Sequence, residues 1–154
     1  MIGLGNPLLG HDAFGPRVIE HLRREAPEAA RGADLLDVHT DLMSQIDRLP
    51  AYERVVLVDA ILVPEERASE AGRILVPEEP SLQAYSDASP TVHQMSPILA
   101  LKLFRCIHPH AATRIHLVGL VTSQASASSG TVANLAVPSS EAIAAGAANV
   151  LDLV

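Results

Sequence analysis

Asp12, Asp59 and His93 have the side-chain types and positions that hydrolytic or metal chemistry needs. Asp12 follows a short apolar segment and a Gly5-Asn6-Pro7 turn. Asp59 comes directly after the apolar run Val55-Val56-Leu57-Val58, which it is expected to end. His93 precedes a helix that opens at Ser96-Pro97. Two carboxylates and an imidazole suit a borderline divalent ion such as nickel or zinc. The same groups can equally supply a general base and its partner. Asp12 and His93 also have structural readings: Asp12 as the cap of the helix that follows it, His93 as a hydrogen-bond partner for the start of the next. Asp59 is harder to read as scaffold, because a carboxylate ending a buried apolar strand costs energy unless something pairs with it.

The remaining reactive side chains make weaker patterns. His11 adjoins Asp12, as its support or as an exposed neighbour, while His21 falls on a helix, His39 at a strand end and His116 within a strand. Cys106, His108 and His110 form a C-x-H-x-H group that matches no established zinc spacing. Cys106 has no paired base that would make it a nucleophile. Gly3-Leu4-Gly5-Asn6-Pro7 is not a dinucleotide fingerprint, since Leu8 stands where a third glycine is required, and no Gly-Lys-Ser/Thr follows for a phosphate loop. There is no H-E-x-x-H for a resident zinc protease.

The elements that position these residues read as alternating strands and helices. Met1–Leu4 is a short strand, and a helix begins at Gly15-Pro16 with Phe14, Val18, Ile19 and Leu22 on one face. Ala33–Val38 reads as a strand, and Asp41–Leu49 as a short amphipathic helix capped by Asp41. Val55–Val58 is apolar on both faces, the pattern of a central parallel strand covered by helices on both sides. Arg73–Val76 is a lesser strand near an edge, Pro77–Pro90 a surface loop, and Ala125–Gly130 a small-residue, flexible stretch. The helix from Ser96-Pro97 offers Ile98, Leu99, Leu101 and Phe104 as its buried stripe. Ile115–Val121 is a second apolar strand, and Ser139–Val154 a closing Ala-rich helix. The alternation predicts an α/β fold, a three-layer α/β/α sandwich on a mostly parallel, twisted sheet of about five strands. In such folds ligands gather at the carboxyl ends of strands, which is where Asp12 and Asp59 fall.

Composition narrows the function. The 154 residues suffice for a single domain spanning 1–154 with a sizeable core. A formal charge of −7 opposes a role in gripping nucleic acid, and 3% aromatic content with no tryptophan leaves little for base stacking. One cysteine excludes an internal disulfide framework and is consistent with the cytosol. The longest apolar run, Val55–Val63, is interrupted by Asp59 and far too short to span a membrane. The N-terminus lacks a basic region followed by an apolar core, so no signal peptide is expected.

Three segments, in order, resemble the nickel–iron hydrogenase maturation proteases. Gly3-Leu4-Gly5-Asn6-Pro7-Leu8-Leu9-Gly10-His11-Asp12-Ala13-Phe14-Gly15 looks like the opening of that family. Val55-Val56-Leu57-Val58-Asp59-Ala60 matches its second signature, and Thr91-Val92-His93-Gln94 its third. The resemblance implies a phosphorylase/hydrolase-like sandwich and a cytosolic, monomeric endopeptidase that removes a C-terminal extension from a hydrogenase large-subunit precursor. It also implies that Asp12, Asp59 and His93 engage nickel already inserted in that precursor, so that nickel arrives with the substrate and is not held as a resident metal. The chain departs from the family where His11-Asp12-Ala13 replaces two acids and a glycine, and where Asp37-Val38-His39-Thr40 replaces Asp-Gly-Gly-Thr. A similar Gly-Leu-Gly-Asn-Pro opening occurs in peptidyl-tRNA hydrolase, but the Thr-Arg-His-Asn element of that family is missing here. A nickel-binding accessory protein that escorts the precursor without cutting it is the non-enzymatic alternative.

Overall fold

The computed structural model describes residues 1–77, 96–123 and 137–154. His93 and the stretch Ala125–Gly130 lie outside the described residues, as does the Pro77–Pro90 loop after its first residue. The described elements are β1 (Ile2–Leu4), a 3₁₀ turn (Gly10–Ala13), α1 (Phe14–Glu25), β2 (Leu36–His39), a 3₁₀ helix (Leu42–Ala51), β3 (Arg54–Val63), a 3₁₀ turn (Glu65–Glu70), β4 (Ile74–Leu75), α2 (Pro97–Ile107), β5 (Arg114–Ser123) and α3 (Ser140–Leu151). None of these helices is long and apolar enough to cross a membrane.

Five strands form one sheet in the order β2-β1-β3-β5-β4. The first four run parallel, and β4 closes one edge antiparallel to β5. Side chains alternate across a strand, and β3 divides accordingly. Val55, Leu57, Ile61 and Val63 pack with Leu42, Ile46 and Leu49 of the 3₁₀ helix and with Ala100, Leu101 and Phe104 of α2. Val56 and Val58 pack on the other face with Phe14, Val18, Ile19 and Leu22 of α1 and with Ala147 and Val150 of α3. The expected sandwich is therefore present, with a core on each side of the sheet.

Several elements differ in detail from expectation. Asp41 does cap the following segment, accepting from the Ser44 N–H at 3.1 Å, but the segment is 3₁₀ and runs on through Pro50 to Ala51. On α2, Ala100 takes a core position while Leu99 faces outward, and Ser96 caps the helix through Leu99 N–H at 3.2 Å. The largest difference is β3, which does not end at Val58. It pairs with β5 from Arg54↔Arg114 through Val63↔Ser123, and that continuous ladder carries it five residues past Val58. What ends at this level is β1, whose pairing with β3 covers only Ile2↔Leu57 and Gly3↔Val58. Gly15 allows the tight approach of α1 beneath this point: a Cβ there would lie 2.2 Å from Leu4 O and 2.3 Å from Val58 O.

Candidate active site

The site forms where β1 leaves the sheet and β3 continues. Gly5 turns the chain away from β3 with φ +117°, a left-handed conformation that disfavours side chains. A Cβ at Gly5 would also lie 1.8 Å from the Asp12 carbonyl oxygen, so the loop can close on itself only with glycine here. The returning loop is laced by hydrogen bonds. Asn6 Oδ1 accepts from Leu8 N–H at 2.9 Å, Asn6 O from Leu9 N–H at 3.0 Å, and Leu9 O from Asp12 N–H at 2.9 Å.

That lacing aims Asp12 back at its own loop. The Asn6 N–H donates to Asp12 Oδ2 at 2.7 Å. The capping role open to Asp12 is not the one it takes: Ala13 is the N-cap of α1 and no side chain caps it. Burial raises the Asp12 carboxyl above its ordinary value, against the opposing pull of the Asn6 N–H.

Asp59 stands on β3 beside the point where β1 departs, paired in register with Gly119 of β5. Its Oδ1 accepts the Ala60 N–H at 2.8 Å. Burial pushes the Asp59 carboxyl up to about 7, with a further upward push from the negative charge of Asp12 and a downward pull from the Ala60 N–H. The structure therefore brings two of the expected residues into one electrostatic neighbourhood, and both are inclined toward the neutral form. Such an arrangement can take up a proton near neutral pH or share a cation between oxygens. Asp12 and Asp59 alone give two oxygen donors, and among the described residues no group of three or more His, Cys, Asp or Glu side chains could hold a metal ion. His93, the expected nitrogen donor, lies outside the described residues.

Neighbouring histidines add detail the sequence did not single out. His11 is half-buried; its Nδ1 has no hydrogen-bond partner among the described residues, and burial lowers its pKa. His39 ends β2 in the left-handed region at φ 53°, with Nδ1 2.9 Å from Asp37 Oδ1. Its carbonyl accepts the Gly5 N–H at 2.8 Å, which ties the edge strand to the loop that carries Asp12. Asn6, Gly5 and the Asp37–His39 pair thus position the site; the sequence marked Gly5-Asn6-Pro7 as a turn and as part of the family-like opening, without assigning it these partners. Away from this end, His108 Nε2 lies 3.4 Å from Asp47 Oδ1 and Cys106 is exposed.

The chain matches no family model and no curated protein sequence. Its fold is shared with solved structures. The [NiFe] hydrogenase maturation protease HycI from Thermococcus kodakarensis KOD1 aligns with TM-score 0.62 and 22% identity, over 99% of this chain and 86% of that one. The hydrogenase maturating endopeptidase HybD from E. coli aligns with TM-score 0.69 and 21% identity, over 98% of this chain and 88% of that one. The hydrogenase 2 maturation peptidase from Thaumarchaeota archaeon SCGC_AB-539-E09 aligns with TM-score 0.50 and 25% identity, over 99% of this chain and 92% of that one. At these identities the likeness is one of fold, and it extends over nearly the whole chain.

Proposed function

We propose that this chain is a hydrogenase maturation endopeptidase, a hydrolase that removes the C-terminal extension of a [NiFe] hydrogenase large-subunit precursor after nickel insertion. The observation that carries the reading is the Asp12–Asp59 pair at the carboxyl end of β1, where β3 runs on, within a fold shared with maturation peptidases. Shared fold alone does not transfer an activity; a pair of neighbouring carboxylates, the charge of Asp12 felt at Asp59, where β1 leaves the sheet makes the activity chemically reasonable. In this reading the enzyme works as a monomer in the cytoplasm, and nickel is part of the substrate. Asp12 and Asp59, with His93 as the nitrogen donor, engage the precursor's nickel and leave the rest of its coordination to the precursor's own ligands.

The residues have distinct tasks. Asp12 is held by the Asn6 N–H and keeps one carboxylate oxygen fixed. Asp59, raised to about 7, is the group able to accept a proton from an attacking water at neutral pH. Nickel on the substrate then either polarises the scissile carbonyl as a Lewis acid or only orients the precursor against Asp59. In both routes peptide hydrolysis adds water across the C–N bond and leaves a new carboxyl terminus on the large subunit.

The test is to mix the protein with nickel-loaded and nickel-free precursor and weigh the products by mass spectrometry. Loss of the extension only from the nickel-loaded form is the expected result. Equal cleavage of the nickel-free form defeats nickel recognition, and absence of any cleavage defeats the peptidase reading in favour of a non-cutting accessory protein.

A further inference from the structure

The loop that fixes Asp12 also presents an apolar tip. Pro7 and Leu8 are both exposed, and Leu8, at 84%, is the most exposed large apolar side chain among the described residues; Val137 follows at 63%. A single exposed leucine is ordinary on a protein surface. This one differs in how it is held. The Leu8 N–H is bonded to Asn6 Oδ1, the next N–H to Asn6 O, and the Asn6 N–H to Asp12 Oδ2. Pro7 fixes its own φ just before it. The side chain is thus projected from a backbone already set in place, in the same ring of hydrogen bonds that positions a candidate catalytic carboxylate. A preorganised apolar group loses little freedom on binding, so its burial converts to affinity with small cost.

We infer that the Pro7–Leu8 tip is a docking point for an apolar side chain of the precursor, on the polypeptide segment beside the bond that is cut. The inference rests on the maturation-peptidase reading and adds a specificity contact to it. The occupant is polypeptide because the tip is continuous with the site at which a peptide bond would be hydrolysed. It is apolar because neither Pro7 nor Leu8 offers a side-chain hydrogen bond or charge. Leu8 touches no reacting atom in this scheme; it sets how tightly the precursor is held.

Steady-state processing of nickel-loaded precursor by the wild-type chain, Leu8→Ser and Leu8→Met tests this. Leu8→Ser should raise KM about ten- to a hundredfold, the order expected when the burial of one leucine side chain is lost. The loss should fall in KM and not in kcat, and the unfolding midpoint should stay put, because the side chain is exposed in the free protein. Leu8→Met, still apolar and of similar volume, should stay close to wild type. An unchanged KM in Leu8→Ser overturns the inference. So does a fall confined to kcat, which would mean that the residue acts only through the geometry of Asp12. If the wild-type chain leaves the precursor whole, it is the peptidase reading that fails, and the docking point falls with it.

Discussion

At the scale of single residues, Asp59 is a carboxyl group that folding penalises. It titrates near 3.8 when unperturbed and about 7 in the folded protein, chiefly because burial disfavours its charge. Between those values the folded state keeps a proton that the unfolded chain has released. Stability from this group is therefore full below about pH 4, falls as pH rises toward 7, and stays low above it. Asp59→Asn removes the titration, so the variant should be steadier than wild type at pH 8 by about 2 kcal/mol, allowing for the solvent contact the residue retains. The advantage should shrink to nothing by pH 4, as followed by thermal or denaturant unfolding across that range, while processing is lost at every pH. Asp12→Asn removes a like charge that pushes Asp59 upward, so the Asp59 titration seen by carboxyl-carbon NMR should move to lower pH. A variant no steadier at pH 8 than at pH 4 would mean that Asp59 has a buried cationic or hydrogen-bonded partner, and so a structural role.

At the scale of elements, the site depends on one strand stopping while its neighbour continues. Gly15 makes this possible by letting α1 approach the Leu4 carbonyl at the end of β1 and the Val58 carbonyl within β3. Gly15→Ala drives a methyl group into two backbone oxygens, Leu4 O and Val58 O, neither of which can swing aside as a side chain would. The variant should lose about 3 kcal/mol or more of stability, read as a drop in unfolding midpoint, and an unchanged midpoint would refute the packing described. The layers themselves were legible in the sequence. Val55–Val58 and Ile115–Val121 announced central strands because burial on both faces leaves no room for alternation. Phe14, Val18, Ile19 and Leu22 marked the inner face of α1 because the helical period requires it. The length of β3 was not legible. A carboxylate after four apolar residues reads locally as a strand end, whereas the ladder to β5 is a non-local pairing that holds Asp59 inside the strand. Asp12 was legible as a candidate but its partner was not, because the group that orients it is the backbone N–H of Asn6 and a backbone donor leaves no mark in residue type.

At the scale of the whole molecule, the distribution of donors bears on where a metal would reside. The chain is acidic, with a formal charge of −7, so cations concentrate weakly around it without being sequestered. Structural zinc sites are four-coordinate, and resident catalytic ones keep three protein ligands and one open position. The described residues contribute Asp12 and Asp59 at this end of the sheet; burial raises both carboxyls, and Asp59, pushed up to about 7, competes with a proton for any cation at neutral pH. In the proposed function the imidazole of His93, the ligand implied by the family resemblance, would bring the set to three donors, as many as resident catalytic zinc sites keep. Ligand number alone therefore does not decide retention here; in the proposed function the proton that Asp59 holds near neutral pH weakens retention by the free enzyme, and the substrate's own ligands complete the shell. The protein purified without precursor should accordingly carry well under one equivalent of nickel, zinc or iron after dialysis against a chelator, as measured by elemental analysis. Nickel added back at a concentration equal to the protein should be removed by a second dialysis. One equivalent of any of these metals surviving both treatments, and lost in Asp12→Asn or Asp59→Asn, would reverse the assignment: the metal would belong to the enzyme, and cleavage would then proceed on precursor whether or not nickel had been inserted.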